Sequence, residues 1–171
     1  MSTIFNPIIS SNLNVGSFIN NLSKRPYRSK APPFCSGGIN ERHIKPGIVF
    51  TNKFTISATK TVPALYPESE EFLAIPEVFA TGYMVGLIEW TCIKAINPYL
   101  DWPREQTIGI HINVSHIAAT PAGLEVTTKV KLIGVYDRKL LFEVKAHDGI
   151  DLITRGEHDR FIICKDKFDK K

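Results

Sequence analysis

Only three cysteines occur in the 171-residue chain, and Cys35, Cys92 and Cys164 stand far apart. No C-x-x-C pair and no Cys/His ligand spacing appears, which argues against structural zinc and a disulfide framework and favours a reducing compartment. Acidic residues are missing altogether from residues 1–40, which carry Lys24, Arg25, Arg28 and Lys30. The formal charge of +4 therefore belongs to that stretch, because the other 17 of the 21 basic residues are matched by 17 acidic ones. A nucleic-acid binder carries its positive charge on a face of the folded body. Here the body is neutral, and no nucleic-acid partner is expected. Also lacking is any run near the ~20 apolar residues that span a bilayer, so no membrane partner is expected either. No internal repeat or heptad is present, and the length suits one ordinary domain.

What is present changes character near residue 40. The first forty residues are rich in Ser and Asn, with Val15, Phe18, Ile19 and Leu22 spaced as one face of a short helix. The basic run Lys24-Arg25-Pro26-Tyr27-Arg28 follows. Amphipathic spacing, basic charge and absent acids together predict a transit peptide, mitochondrial in the first instance, with a cytoplasmic protein as the alternative. A Pro/Gly/Ser-rich stretch from Ala31 to Gly38 marks the boundary with a folded domain over residues 41–171.

In that domain, Ile48 to Thr59 is rich in β-branched residues and predicts a strand. Residues 60–76 hold Pro63, Pro67 and Pro76 and read as loop with at most one short turn. Pro76 suits the first turn of a helix running from Glu77 to Tyr99. That helix is apolar nearly all round, which predicts burial, and Gly82 and Gly86 on it predict close approach of a packed neighbour. Four strands follow over Thr107–Ala118, Leu124–Tyr136, Lys139–Ala146 and Asp151–Cys164. Their turn signals are Thr120-Pro121-Ala122-Gly123, Asp137-Arg138 and Asp148-Gly149. The order predicts an α+β fold of hotdog type, one long helix wrapped by a curved antiparallel sheet of about five strands, the last four a meander. Such a sheet leaves an edge strand open, and pairing of two copies protects it, so a homodimer is expected.

Glu89 lies between Ile88 and Trp90 on a helix that otherwise rejects charge. A buried carboxylate must be hydrogen-bonded, paired or protonated, and groups so constrained gather at catalytic sites. The bland alternative is an acid bonded to nearby backbone or hydroxyls. Thr81 stands eight residues earlier, about 12 Å back along the axis, near the helix start where free N–H groups favour negative charge. A threonine there is more often a cap than a nucleophile. His116 ends an alternating strand; His43, His111, His147 and His158 read as satisfied surface residues. A hydroxyl, an acid and an imidazole are the parts of a nucleophilic or general-base site, although spacing alone does not bring them together.

Longer runs carry a resemblance. Lys60-Thr61-Val62, Leu65-Tyr66-Pro67-Glu68-Ser69, and Pro76-Glu77-Val78-Phe79-Ala80-Thr81-Gly82 closely resemble the bacterial fluoroacetyl-CoA thioesterase family. So do Met84-Val85-Gly86-Leu87, Glu89-Trp90, Pro98-Tyr99-Leu100, His116 with Ala118-Ala119-Thr120-Pro121, Ala146-His147-Asp148-Gly149 and Arg155-Gly156-Glu157-His158. The resemblance covers about residues 60–167. It implies hydrolysis of an acyl-CoA thioester to free acid and CoA without metal or redox cofactor, with Thr81, Glu89 and His116 catalytic. Gly109 takes the place of the glycine whose amide holds the thioester carbonyl. The lid over the acyl pocket corresponds to Val62, Leu65, Phe72 and Ile75. Ile75 stands where that family has an aromatic residue, which implies altered acyl selectivity; a short-chain acyl-CoA substrate is expected, and fluoroacetyl-CoA is not predicted as the physiological one. Ordinary loop packing is the alternative role for these four. An enoyl-CoA hydratase of hotdog type would need an Asp/His pair, and a non-catalytic acyl-CoA or acyl-carrier binding module would not need the whole polar set.

Overall fold

The computed structural model describes residues 44–170, so the predicted helix and basic run before residue 41 lie outside the described residues. Ile44, the first of them, is already packed in the core. Five strands form one antiparallel sheet: β1 (Val49–Thr55), β2 (Glu105–His116), β3 (Glu125–Tyr136), β4 (Lys139–His147) and β5 (Leu152–Cys164). Their spatial order is β1-β3-β4-β5-β2. The meander is therefore β3-β4-β5 alone, and β2 pairs with β5 rather than with its sequence neighbour β3. Turn signals fix hairpins between neighbours, but β2 is followed by a loop that crosses to β3, beside the far edge strand β1. The hairpin turns fall where the sequence marks them, with Asp137 and Gly149 at positive φ.

Alternation along β3 and β4 puts Val126, Val130, Leu132, Leu140, Phe142 and Val144 on one face, all fully buried. Against that face lies α2 (Thr81–Ile96), which buries Met84, Leu87, Ile88, Cys92, Ala95 and Ile96. Each large apolar side chain so buried contributes roughly 1.5–3 kcal/mol, which makes this contact the main source of stability. The helix is not buried all round: Thr81, Gly82, Gly86 and Trp90 are exposed. Leu65 closes over Gly82, as expected, whereas Gly86 has open space beside it.

Two further expectations are corrected. Residues 60–76 are more ordered than a loop: short turns span Ala58–Lys60 and Val62–Ala64, and α1 covers Glu70–Leu73 with Ser69 as its cap. The long helix begins at Thr81, not near Pro76, because Val78 and Phe79 are used as extended bridges to Pro121 and Thr61. A last short helix, α3, covers Lys165–Phe168. Cys92 is free and buried, and burial pushes its thiol up to about 12, so it is inert at neutral pH. Cys164, at the end of β5, is disulfide-bonded, where the sequence suggests no disulfide framework.

Candidate active site

Thr81 is the first residue of α2, and the capping position before it is held by Ala80, which offers no side-chain oxygen. The Thr81 hydroxyl is thus not used as a cap. It lies 2.9 Å from His116 Nδ1, at the end of β2. Burial pushes the His116 imidazole below the ordinary histidine range, opposed in part by the Ala118 backbone. Its other nitrogen, Nε2, is buried without a partner of good hydrogen-bond geometry. A neutral imidazole against a hydroxyl at a helix N-terminus is the arrangement of a base and the nucleophile it activates.

Glu89 and Gly109 form a second cluster. The Glu89 carboxylate is not buried, as the sequence suggests, but 40% exposed, with Oε2 3.4 Å from an Arg160 guanidinium nitrogen. Gly109 leaves the space for it, since a Cβ there would stand 2.7 Å from Glu89 Oε1. Next to Gly109 the β2–β5 register slips by one residue, a bulge that leaves Ile110 unpaired.

Arg160 is the residue of this cluster that sequence reasoning misses. Its side chain is almost wholly buried and donates to Thr107 Oγ1 at 2.9 Å, the Thr107 carbonyl at 2.7 Å and His158 Nε2 at 3.0 Å. Since arginine only donates, His158 accepts at Nε2 and donates from Nδ1 to the His111 carbonyl at 2.8 Å. His158 is therefore a buried, neutral core residue rather than a surface one, and burial lowers its pKa. Burial also pushes Arg160 down, and the Glu89 carboxylate opposes it. The only sequence signal was a basic residue on the otherwise apolar end of β5.

The three predicted polar side chains and Gly109 thus meet as two pairs, Thr81 with His116 and Glu89 with Gly109. Within one chain the pairs stand apart. Eight helical residues separate Thr81 from Glu89 by about 12 Å, and seven strand residues separate His116 from Gly109 by about 23 Å.

Of the lid residues, Val62, Leu65 and Phe72 are half-buried, and Ile75 is exposed. Leu65 sits over Gly82, beside Thr81, and Phe72 stacks edge-on against Tyr66 at 5.0 Å. A cavity of about 380 Å³ is lined instead by Phe54, Phe79, Tyr83, Leu87 and Trp90 with Lys60, and none of Thr81, Glu89, Gly109 and His116 lines it.

Comparison with known proteins shows which family the chain is similar to. Residues 57–166 match the family described as fluoroacetyl-CoA-specific thioesterase. The fluoroacetyl-CoA thioesterase of Streptantibioticus cattleyicolor is 52% identical over 122 residues, covering 71% of this chain and 87% of that one. A solved variant of a fluoroacetyl-CoA-specific thioesterase, in complex with fluoroacetate and CoA, superposes with a TM-score of 0.71 at 50% identity, over 73% of this chain and 99% of that one. A thioesterase superfamily member from Thermus thermophilus, 25% identical, superposes with a TM-score of 0.66 over 75% and 90%. The five-stranded sheet wrapped on one long helix is the hotdog fold of these thioesterases, and the chain belongs to the fluoroacetyl-CoA-specific thioesterase family.

Proposed function

We propose that the protein hydrolyses a short-chain acyl-CoA, with Thr81 as nucleophile and His116 as its base, in a homodimer that completes the site. The observation that carries this is the 2.9 Å contact between Thr81 Oγ1 and His116 Nδ1. His116 takes the hydroxyl proton as Oγ1 attacks the thioester carbonyl, and the CoA thiolate leaves with that proton. Water, activated in turn by His116, releases the acid from Thr81. Glu89 is held by Arg160 and is the weaker nucleophile on that account.

The separation of the two polar pairs supports the dimer. An amide at Gly109 of the same chain stands too far from Thr81 to hold its oxyanion, whereas a second copy supplies one across a shared interface. β2 is a long edge strand with Gly109, Ile110 and His111 exposed, and such an edge favours pairing with another copy. Fluoroacetyl-CoA is not proposed as the physiological substrate. Ile75 in the lid lacks the ring that would narrow and dry the acyl pocket.

The test is release of CoA from a panel of acyl-CoAs by the full chain, beside Thr81→Ala and His116→Ala. Removal of the base is expected to lower kcat about 10²–10⁴-fold. Equal background release by wild type and both variants would remove the proposal. In the same panel, Ile75→Phe is expected to shift preference towards the smallest acyl groups, and an unchanged order removes the lid argument. We further propose that residues 1–40 direct the chain to mitochondria. A reporter fused to residues 1–40 is expected to enter that organelle, and a diffuse signal would end the idea in favour of the cytoplasm.

A further inference from the structure

Thr81 and His116 come from different elements, and their 2.9 Å contact needs something to hold those elements together. Thr120, four residues past His116 and wholly buried, touches both sides. Its carbonyl accepts from Phe79 N–H at 2.7 Å, two residues before Thr81, while Pro121 bridges Val78. Its hydroxyl donates to Asp148 Oδ2 at 2.8 Å. Asp148 lies in the β4–β5 turn, and its other oxygen accepts the N–H groups of Ile150 at 3.0 Å and Asp151 at 2.8 Å. Both carboxylate oxygens are thereby used, and the acceptor is fixed in place. The opposite end of the loop is tied to the same region, since Ile117 N–H donates to the Ile153 carbonyl at 2.9 Å. The loop of residues 117–121 is thus anchored by its hydroxyl on the sheet and carries the start of α2 on its backbone.

We propose that Thr120 and Asp148 are positioning residues for the reaction, setting the Thr81–His116 distance through the loop between them. The inference rests on the dyad proposed above and extends it to two residues that touch no reacting atom. Loss of the anchor lets the loop shift, and displacements near 1 Å at a reacting pair lower rates about 100-fold. The rate of the bound complex should suffer while affinity for acyl-CoA does not.

The experiment compares kcat and KM for Thr120→Val, Thr120→Ser, Asp148→Asn and Thr81→Ala, with a thermal melt of each. Thr120→Val keeps the shape and removes the hydroxyl, and is expected to lower kcat roughly 10–100-fold at nearly unchanged KM. Thr120→Ser restores the hydroxyl and should return kcat to within about threefold of wild type, the range expected when a single hydrogen bond is remade. Asp148→Asn keeps an oxygen for Ile150 and Asp151 and changes only the atom facing Thr120; it should lower kcat less, and it carries the test if Thr120→Val does not fold. Wild-type kcat in a folded Thr120→Val, a loss confined to KM, or no recovery with Thr120→Ser would overturn the positioning role. Unchanged kcat in Thr81→Ala would instead remove the dyad and the positioning role with it.

Discussion

At the scale of single residues, the proposed mechanism makes His116 the group that governs the response to pH. Burial depresses its pKa, so the neutral imidazole persists below the ordinary histidine value of about 6.5. A base works only when unprotonated; the acid limb of kcat/KM is therefore expected below pH 6.5, with activity falling as pH drops through the folded value. The stability contribution has the same sign. It is present above the unfolded pKa and is lost as pH falls through the depressed folded one. A rate profile from pH 5 to 8 with its acid limb above 6.5 would count against His116 as the base. Gly109 gives a second residue-scale prediction. In Gly109→Ala the new methyl must push the Glu89 carboxylate away from Arg160, because a Cβ would sit 2.7 Å from Oε1. Glu89 is part-exposed and can yield, but the buried His158 ring, with Cε1 3.1 Å from that Cβ, must give as well. Stability should drop by roughly 1–3 kcal/mol, as for an overpacked interior, while kcat/KM also falls; a melt and a rate measurement separate the two effects. Glu89 itself shows what the sequence concealed. Its neighbours suggested a buried acid, but the side chain leans out over a glycine towards Arg160, a partner 71 positions away that local pattern does not reveal.

The elements were more legible where one face meets solvent and the other the core. In β3 and β4 strict alternation marks both strand and buried face, and those strands begin and end within a residue of where the pattern places them. Pairing between distant strands has no such mark. The position of β2 beside β5 depends on a crossing loop and a packed helix, neither of which leaves a period in the sequence. Similarly, Pro76 offers a good helix start, but tertiary bridges recruit Val78 and Phe79 as extended chain and delay the helix to Thr81. Thr81 and His116 were suggestive as types and positions; only the family resemblance joined them, and the structure places them in contact. One element-scale prediction follows from β2–β5 packing. Gly156 has φ +153°, and a Cβ there would meet the Asn113 carbonyl oxygen at 2.1 Å and Val114 Cα at 2.8 Å. Both obstacles are backbone, so neither rotates away. Gly156→Ala should cost roughly 1–3 kcal/mol or more, in the range of overpacked interiors, and a melting temperature equal to wild type would contradict the close approach.

For the whole molecule, the proposed division of the site between two copies makes a distinctive prediction. Thr81→Ala and Glu89→Ala are each expected to be weakly active alone. Mixed after unfolding and refolding together, they should form hybrid dimers in which one site collects both defects and the other collects none. Equal mixing then restores about a quarter of the wild-type sites, as twofold symmetry requires. No recovery in a mixture shown to contain hybrids would place each site within a single chain.

The distance between the Thr81–His116 pair and the Glu89–Gly109 pair also bears on genetics. On the shared-site arrangement, a chain altered at both Thr81 and Glu89 spoils both sites of any dimer it joins. Co-expressed with an equal amount of intact chain, it would leave only about a quarter of dimers working, those with two intact members. Such an allele would behave as dominant over the normal one, whereas an allele that abolishes folding would at most halve the dose.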